Sequence, residues 1–308
     1  MRPGPNGCDM QKWMASTLII LFLLPLVNAD TDAPDISREA TGGHAILLEH
    51  YTATWCDTCA TVDPLVSEFV DDHSSRVVHV ALHPNDHDPF GSALTTYRIG
   101  MKQAESELPL PTFWFDGGSE LQGSVSQPLL ANELRSAEVE RTDWIAINIW
   151  WDTWEHQQHH ALHQLSIQID EELSENATIT VFRLETLEMQ NREIAYNGID
   201  VHDDVATQMI SFDRNGTISN SFDGDHGWSL VDDEQYSDAG APVFTIDTYG
   251  DVDHFVTVIE ENGEVRGVIR ISNEEMPRKA EIYGDLALLL LLVALAGSSA
   301  ILRRDEIH

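Results

Sequence analysis

The 308-residue chain has only three cysteines, Cys8, Cys56 and Cys59, and only three lysines, Lys12, Lys102 and Lys279. Three cysteines are too few for a disulfide framework, and without a second CxxC they cannot complete a four-cysteine zinc site. Basic residues are scarce throughout: 17 Lys and Arg stand against 52 Asp and Glu, a formal charge of −35. A surface of that sign repels phosphate backbones and anionic headgroups, which excludes nucleic acid as a partner. The acids are spread along the chain and not blocked, as in a hydrated surface rather than an acidic tail. Internal repeats and long low-complexity segments are also missing. The composition, 42% hydrophobic and 22% charged, is that of a folded protein, longer than one ordinary domain needs.

Long apolar runs are confined to the two ends. Leu18 to Val27 follows Arg2 and Lys12 and precedes a small residue, Ala29. That pattern predicts a cleaved signal peptide over 1–29, which would remove Cys8. Leu286 to Leu302 is uncharged and is followed by Arg303 and Arg304. It predicts a single transmembrane helix over 285–302, reached by a linker over 275–284 and followed by a cytoplasmic tail over 303–308. The expectation is a single-pass cell-membrane protein, bound to the membrane through that C-terminal helix, with the bulk of the chain extracytoplasmic.

Between the ends the hydrophobic pattern changes near Thr142. Over 30–141, a polar lead gives way to buried strand runs at His44–Ala53 and Arg76–His83. A helix-spaced stretch follows the cysteines, with Val62, Leu65, Val66 and Phe69 on one face and Pro64 inside it. Another helix runs to about Gln103, then a strand through Phe115 and a closing helix. Strands alternating with helices predict an α/β domain. Over 142–274, Ile145, Ile147 and Ile149 alternate with polar residues, as do Leu165, Ile167 and Ile169. Asn215-Gly216 and Asn262-Gly263 are hairpin turn signals between such runs. This part predicts an all-β, sandwich-like domain, each of the two parts having its own core.

The stretch "TATWCDTCATVDP", residues 52–64, holds the two remaining cysteines. A closed zinc site needs two more ligands, and His83 and His87 would reach the pair only through the fold. A purely structural bridge over so short a loop restrains little chain entropy. A redox pair fits better: at a strand-to-helix junction, unpaired backbone N–H groups favour a thiolate on Cys56, and Cys59 can resolve a mixed disulfide. Asp57 places a negative charge beside that thiolate and weakens it as an oxidant, so a reducing or isomerising role is expected.

The buried strand, "WCDTC", the Pro five residues past the second cysteine and "LPTFWFDG" about fifty residues on together resemble the thioredoxin superfamily, over Ala45 to Glu140. With the β-rich second half, the chain looks like the outer-membrane-protein-related surface proteins, which join a thioredoxin-like domain to a C-terminal β domain. The resemblance implies a Cys56–Cys59 disulfide, Cys56 as nucleophile, Cys59 as resolver and Pro111 as the cis-proline beside them. It implies protein thiol or disulfide clients and no cofactor. Where that superfamily usually has a buried Asp, six residues before the first cysteine, this chain has His50 beside Glu49. Either is a candidate acceptor for the resolving thiol's proton. Asp57-Thr58 replaces the usual Gly-Pro.

Other motifs carry less. His156, His159, His160 and His163 lie between two strand runs and suit copper or zinc, or simply a polar hairpin loop, with His163 in phase with core Leu165. "SFDRNGTIS" fails as a calcium loop, since Phe222 stands where a bidentate Glu is needed. Asn176 and Asn215 open glycosylation sequons, and Trp150, Trp151 and Trp154 read as strand core. The functional expectation is a membrane-anchored extracytoplasmic thiol–disulfide oxidoreductase. The alternative is a surface binding or adhesion protein with a silent disulfide.

Overall fold

The computed structural model describes residues 33–85, 87–102, 108–118, 120–155, 161–192, 196–223, 227–236 and 242–273. The expected signal peptide, 1–29, and transmembrane segment, 285–302, lie outside them. Among the described residues no helix is long and apolar enough to cross a membrane.

The first half of the chain supplies β1 (Ile36–Gly42), β2 (Ile46–Tyr51), α1 (Cys59–Asp72), β3 (Val77–Leu82), α2 (Ala93–Gly100), β4 (Thr112–Phe115), β5 (Glu120–Gln122) and α3 (Gln127–Glu140). The second supplies β6 (Ile147–Trp154), β7 (Leu162–Ile169), β8 (Ala177–Glu188), β9 (Val201–Asp213), β10 (Ile218–Phe222), β11 (Trp228–Tyr236), β12 (Pro242–Tyr249), β13 (His254–Glu261) and β14 (Glu264–Ser272). One sheet has the order β1-β6-β7-β12-β11; the other runs β14-β13-β8-β9-β3-β2-β4-β5, with β10 added to β9.

This corrects the expected α/β thioredoxin-like domain followed by a β-sandwich-like domain. The fold is β-rich: strands hold 48% of the described residues and the three helices 17%. Parallel pairing between these strands is limited to β2 with β3 and to one residue pair, Ala81 with Val205, that joins β3 to β9. The change of pattern near Thr142 does not separate two sheets. Strand β1, which lacks an apolar run and read as a polar lead, pairs along its whole length with β6. The chain then crosses to the other sheet at Gly43, whose φ is +125°. A Cβ there would lie 2.0 Å from the Ile145 carbonyl oxygen, so only glycine fits.

Among the described residues the three largest apolar cores follow from this. One fills the space between the sheets, with Ile149, Trp151 and Ile167 against Val181, Phe212 and Phe255. A second packs α1 and α3 on β2, β3 and β4 through Val66, Phe69, Leu130 and Phe113. The third draws on both halves of the chain: Leu47, Val80 and Leu94 meet Phe182, Met209 and Val258. Through it runs a buried charge network. Arg98 of α2 donates to Glu49 of β2 at 2.5 Å and, through both terminal nitrogens, to Glu260 of β13 at 2.8 and 2.9 Å. Lys102 approaches the other Glu49 oxygen at 2.9 Å. Removing one partner of such a network leaves a buried charge uncompensated, a loss of about 3–5 kcal/mol. Arg98→Met should therefore lower the denaturant-unfolding free energy by about that amount, and adding Glu49→Gln should recover a substantial part of it.

Candidate functional site

Strand β2 ends at Tyr51, and the chain turns through Ala53 into the cysteines before α1 begins at Cys59. Cys56 and Cys59 are joined by a disulfide with Cα atoms 5.2 Å apart. Cys59 is fully buried; Cys56 is 7% exposed and follows Trp55, which is 42% exposed. Both residues are buried, Cys56 less deeply than Cys59. The Cys59 backbone N–H donates to Cys56 Sγ at 3.1 Å. Leu110 packs against Ala53, Cys56 and Cys59, and the next peptide, Leu110–Pro111, is cis, with Pro111 buried.

Two residues hold this loop that sequence reasoning did not find. Asp88 accepts from the Thr54 backbone N–H at 2.6 Å, the Thr54 hydroxyl at 3.1 Å and the Phe90 N–H at 2.9 Å. His83 Nδ1 lies 3.2 Å from the same carboxylate. Burial opposes ionisation of Asp88, but the His83 and backbone hydrogen bonds prevail and hold it below its ordinary value. Asn197, in the connection between β8 and β9, donates to the Ala53 and Cys56 carbonyls at 3.2 and 3.3 Å and accepts from the Ile199 N–H. It lies 141 residues from Cys56, so no local pattern points to it.

The two expected proton acceptors separate. On a strand, neighbouring side chains leave opposite faces. Glu49 faces Arg98 and Lys102. Burial alone would raise its carboxyl, but those cations reverse this and hold it at about 2. A carboxylate so held does not take a thiol proton, which removes Glu49 from that role. His50 faces α1, stacks on Phe113 at 4.4 Å, and lies 3.4 Å from Asp63. Burial and then the neighbouring imidazoles push His50 well below its usual value. Asp63 stands one helical turn after Cys59 and accepts from Thr52 Oγ1 at 2.8 Å. Burial pushes it up to about 6, nearer a thiol's range than either expected residue.

Behind α1 lies a cavity of about 520 Å³, lined by His50, His79, His83 and His202 and by the α1 residues Asp63 and Ser67, among others. Sequence reading missed this group because its members come from β2, β3, the turn after β3 and β9, 152 residues apart at the extremes. His79 Nδ1 lies 3.1 Å from Asp204 Oδ2, and Asp204 has φ +55° at an irregularity in β9. That left-handed conformation, tolerated by Asp, sits where β9 meets β3.

Of the histidines named for copper or zinc, His156, His159 and His160 lie outside the described residues. His163 is buried; Trp151 Nε1 donates to its Nδ1, and its Nε2 pairs with the Gly250 carbonyl at 2.7 Å. It is a satisfied core histidine, not a ligand. Among the described residues no three His, Cys, Asp or Glu side chains are placed to share a metal ion.

No protein-family model matches the chain, and no curated protein sequence matches it. Among solved structures, HBP35 of Porphyromonas gingivalis is similar in fold, with a TM-score of 0.51 and 15% identity over 77% of this chain and 78% of that one. A structural-genomics target from Agrobacterium tumefaciens gives a TM-score of 0.43 and 10% identity over 75% of this chain and 95% of its own.

Because Asn197 clamps the cysteine loop from a distant strand connection, Asn197→Ala should cost about 1–2 kcal/mol of stability in the oxidised protein. It should also speed reduction of the disulfide by dithiothreitol. Unchanged unfolding and reduction rates would mean the clamp has no mechanical role.

Proposed function

We propose that the protein is an extracytoplasmic thiol–disulfide oxidoreductase, tethered to the membrane through the apolar run Leu286–Leu302. One observation carries the reading: a disulfide at the start of α1 in which the sulfur of Cys56, the less deeply buried of the two residues, receives the Cys59 backbone N–H. Such a hydrogen bond stabilises a thiolate at Cys56 after reduction. The resemblance of "WCDTC" and "LPTF" to the thioredoxin superfamily supports the reading for this segment alone; the site, not the fold, is the argument.

The reduced form would act in two displacements. The Cys56 thiolate attacks a client disulfide, forming a mixed disulfide and releasing one client thiolate, which takes up a proton. Cys59 then gives its proton to Asp63 and attacks Cys56 Sγ, releasing the second client thiolate. Two electrons pass to the client, and the protein is left as the Cys56–Cys59 disulfide. An external dithiol must reduce it again for turnover. The mirror sequence oxidises a client dithiol. Asp57 beside the thiolate supports the reducing or isomerising direction.

Cys59→Ser blocks resolution, so Cys56 should accumulate client proteins as mixed disulfides that dithiothreitol releases, and Cys56→Ser/Cys59→Ser should accumulate none. Absence of such adducts in the single variant would favour the surface-binding alternative. Asp63 gives a second test. Its folded value, about 6, is above the ordinary carboxyl value of 3.8. Its ionisation therefore opposes folding: the cost is absent below pH 3.8 and complete above about 6. Asp63→Asn should stabilise the oxidised protein at neutral pH by up to about 3 kcal/mol, with the gain vanishing in acid. It should also slow the resolving step. A variant that is no more stable at pH 7.5 than at pH 4, relative to the natural protein, would remove Asp63 from this role.

A further inference from the structure

The cavity behind α1 has walls that a disulfide exchange does not use. His79 and His83 direct Nδ1 toward the carboxylates of Asp204 and Asp88, at 3.1 and 3.2 Å. In a neutral imidazole, an Nδ1–H donated to a carboxylate, as His79 is placed to give Asp204, leaves the lone pair on Nε2. His202 is hydrogen-bonded to the Ile199 backbone. The Nε2 atoms of all three are buried without a hydrogen-bond partner, and Asp63 Oδ1 has only His50 Nε2 near it, at 3.4 Å. The side chains of His79, His83 and His202 are at least nine-tenths buried. Glu68, Asp71, Asp72 and Asp203 add acids to the lining, and no Lys or Arg belongs to it.

This is a cavity of acceptors in an acidic setting. It repels anions, and its unpaired nitrogens penalise an apolar occupant. A single metal ion fits poorly. His79 and His83 are four residues apart on extended chain, about 13 Å, and no three such groups among the described residues converge. Acceptors spread along one wall suit a cation that carries several separate N–H donors. We propose that the cavity binds an organic cation with primary ammonium groups, whose N–H donors are received by Nε2 of His79, His83 and His202 and by the Asp63 carboxylate. An ammonium has three donors and no acceptor, the complement of this wall. Burial, the largest influence, pushes His202 down to about 4, so at neutral pH it is an uncharged acceptor and does not repel a cation. The ammonium groups have two sources, a free alkyl polyamine or neighbouring lysine side chains of a protein.

Full-length oxidised protein would be titrated calorimetrically with spermidine, and separately with an N-acetylated peptide carrying two adjacent lysines, at about 0.15 M salt, where exposed charges are screened beyond about 8 Å. One saturable site per chain is expected for at least one probe. Spermidine alone would mark a small-molecule site, and the peptide a side-chain pocket; either supports the proposal. His83→Gln should weaken binding at least about tenfold. Ser67→Trp, which fills the cavity from the partly exposed α1 wall without replacing a buried histidine, should do the same if His83→Gln fails to fold. Glu171→Gln, on the exposed surface, should change nothing. Three results would overturn the proposal. They are no saturation by either probe, equal weakening in all three variants, and one zinc ion per chain that displaces spermidine and is lost with His83→Gln.

Discussion

Arg98 is the point on which the architecture turns. A guanidinium that is 3% exposed cannot remain ionised without anions, and it cannot lose its proton. It is satisfied only when α2, β2 and β13 are all in place, because Glu49 and Glu260 sit on strands from opposite halves of the chain. Aromatic faces close the rest: Phe182 lies 5.8 Å from the guanidinium, and Trp114 lies 5.2 Å from the Lys102 ammonium. The network adds little net stability over a well-packed apolar core, but it penalises every register in which the two halves are misplaced. Since β2 leads directly into the cysteine loop, the same network fixes where the disulfide stands.

The site is built where the two β systems meet. Strands β3 and β9 touch through one residue pair, and a sheet that narrows to one pair leaves space on its flank. That space is the cavity, and the chain segments bordering it do two jobs. The β8–β9 connection lays Asn197 over the cysteine loop, and the start of β9 puts His202 on the cavity wall. The turn after β3 sends Asp88 to the loop and His83 to the wall, the two side chains meeting at 3.2 Å. Helix α1 borders both, with Cys59 at its start and Asp63 one turn on.

Local patterns in the sequence were a good guide to local structure. Asn262-Gly263 is a two-residue hairpin loop with φ of +55° and +84° between β13 and β14, because that turn needs two left-handed residues and few dipeptides supply them. The runs around Leu47 and Val80 are strands buried on both faces. Long-range features were not legible. Strand β1 carries Ser37, Arg38 and Glu39 between Ile36 and Ala40, so no apolar run marks it; its hydrogen bonds come from β6. Periodicity reports which face of a strand is buried, not which strand lies beside it, so two patterned segments read as two domains although they share one sheet. For the same reason Glu49 and His50, adjacent in sequence, looked equivalent as proton acceptors. Strand alternation puts one among cations and the other beside Asp63.

Asp63 belongs to both proposals, and that makes them interact. As acceptor of the Cys59 proton it must begin as a carboxylate and end neutral. As part of the cavity wall it offers an ammonium a negative partner only while it is ionised. An ammonium within a few ångströms favours the charged form and so lowers Asp63 from its value of about 6. A bound cation therefore makes Asp63 a weaker acceptor, and protonation of Asp63 weakens the hold on the cation by the same free energy. Occupancy of the cavity and the state of the dithiol are then linked through one carboxyl group, with no movement of the backbone required. The sign of that linkage follows from charge alone: the cation stabilises the state in which Asp63 has not yet taken the thiol proton.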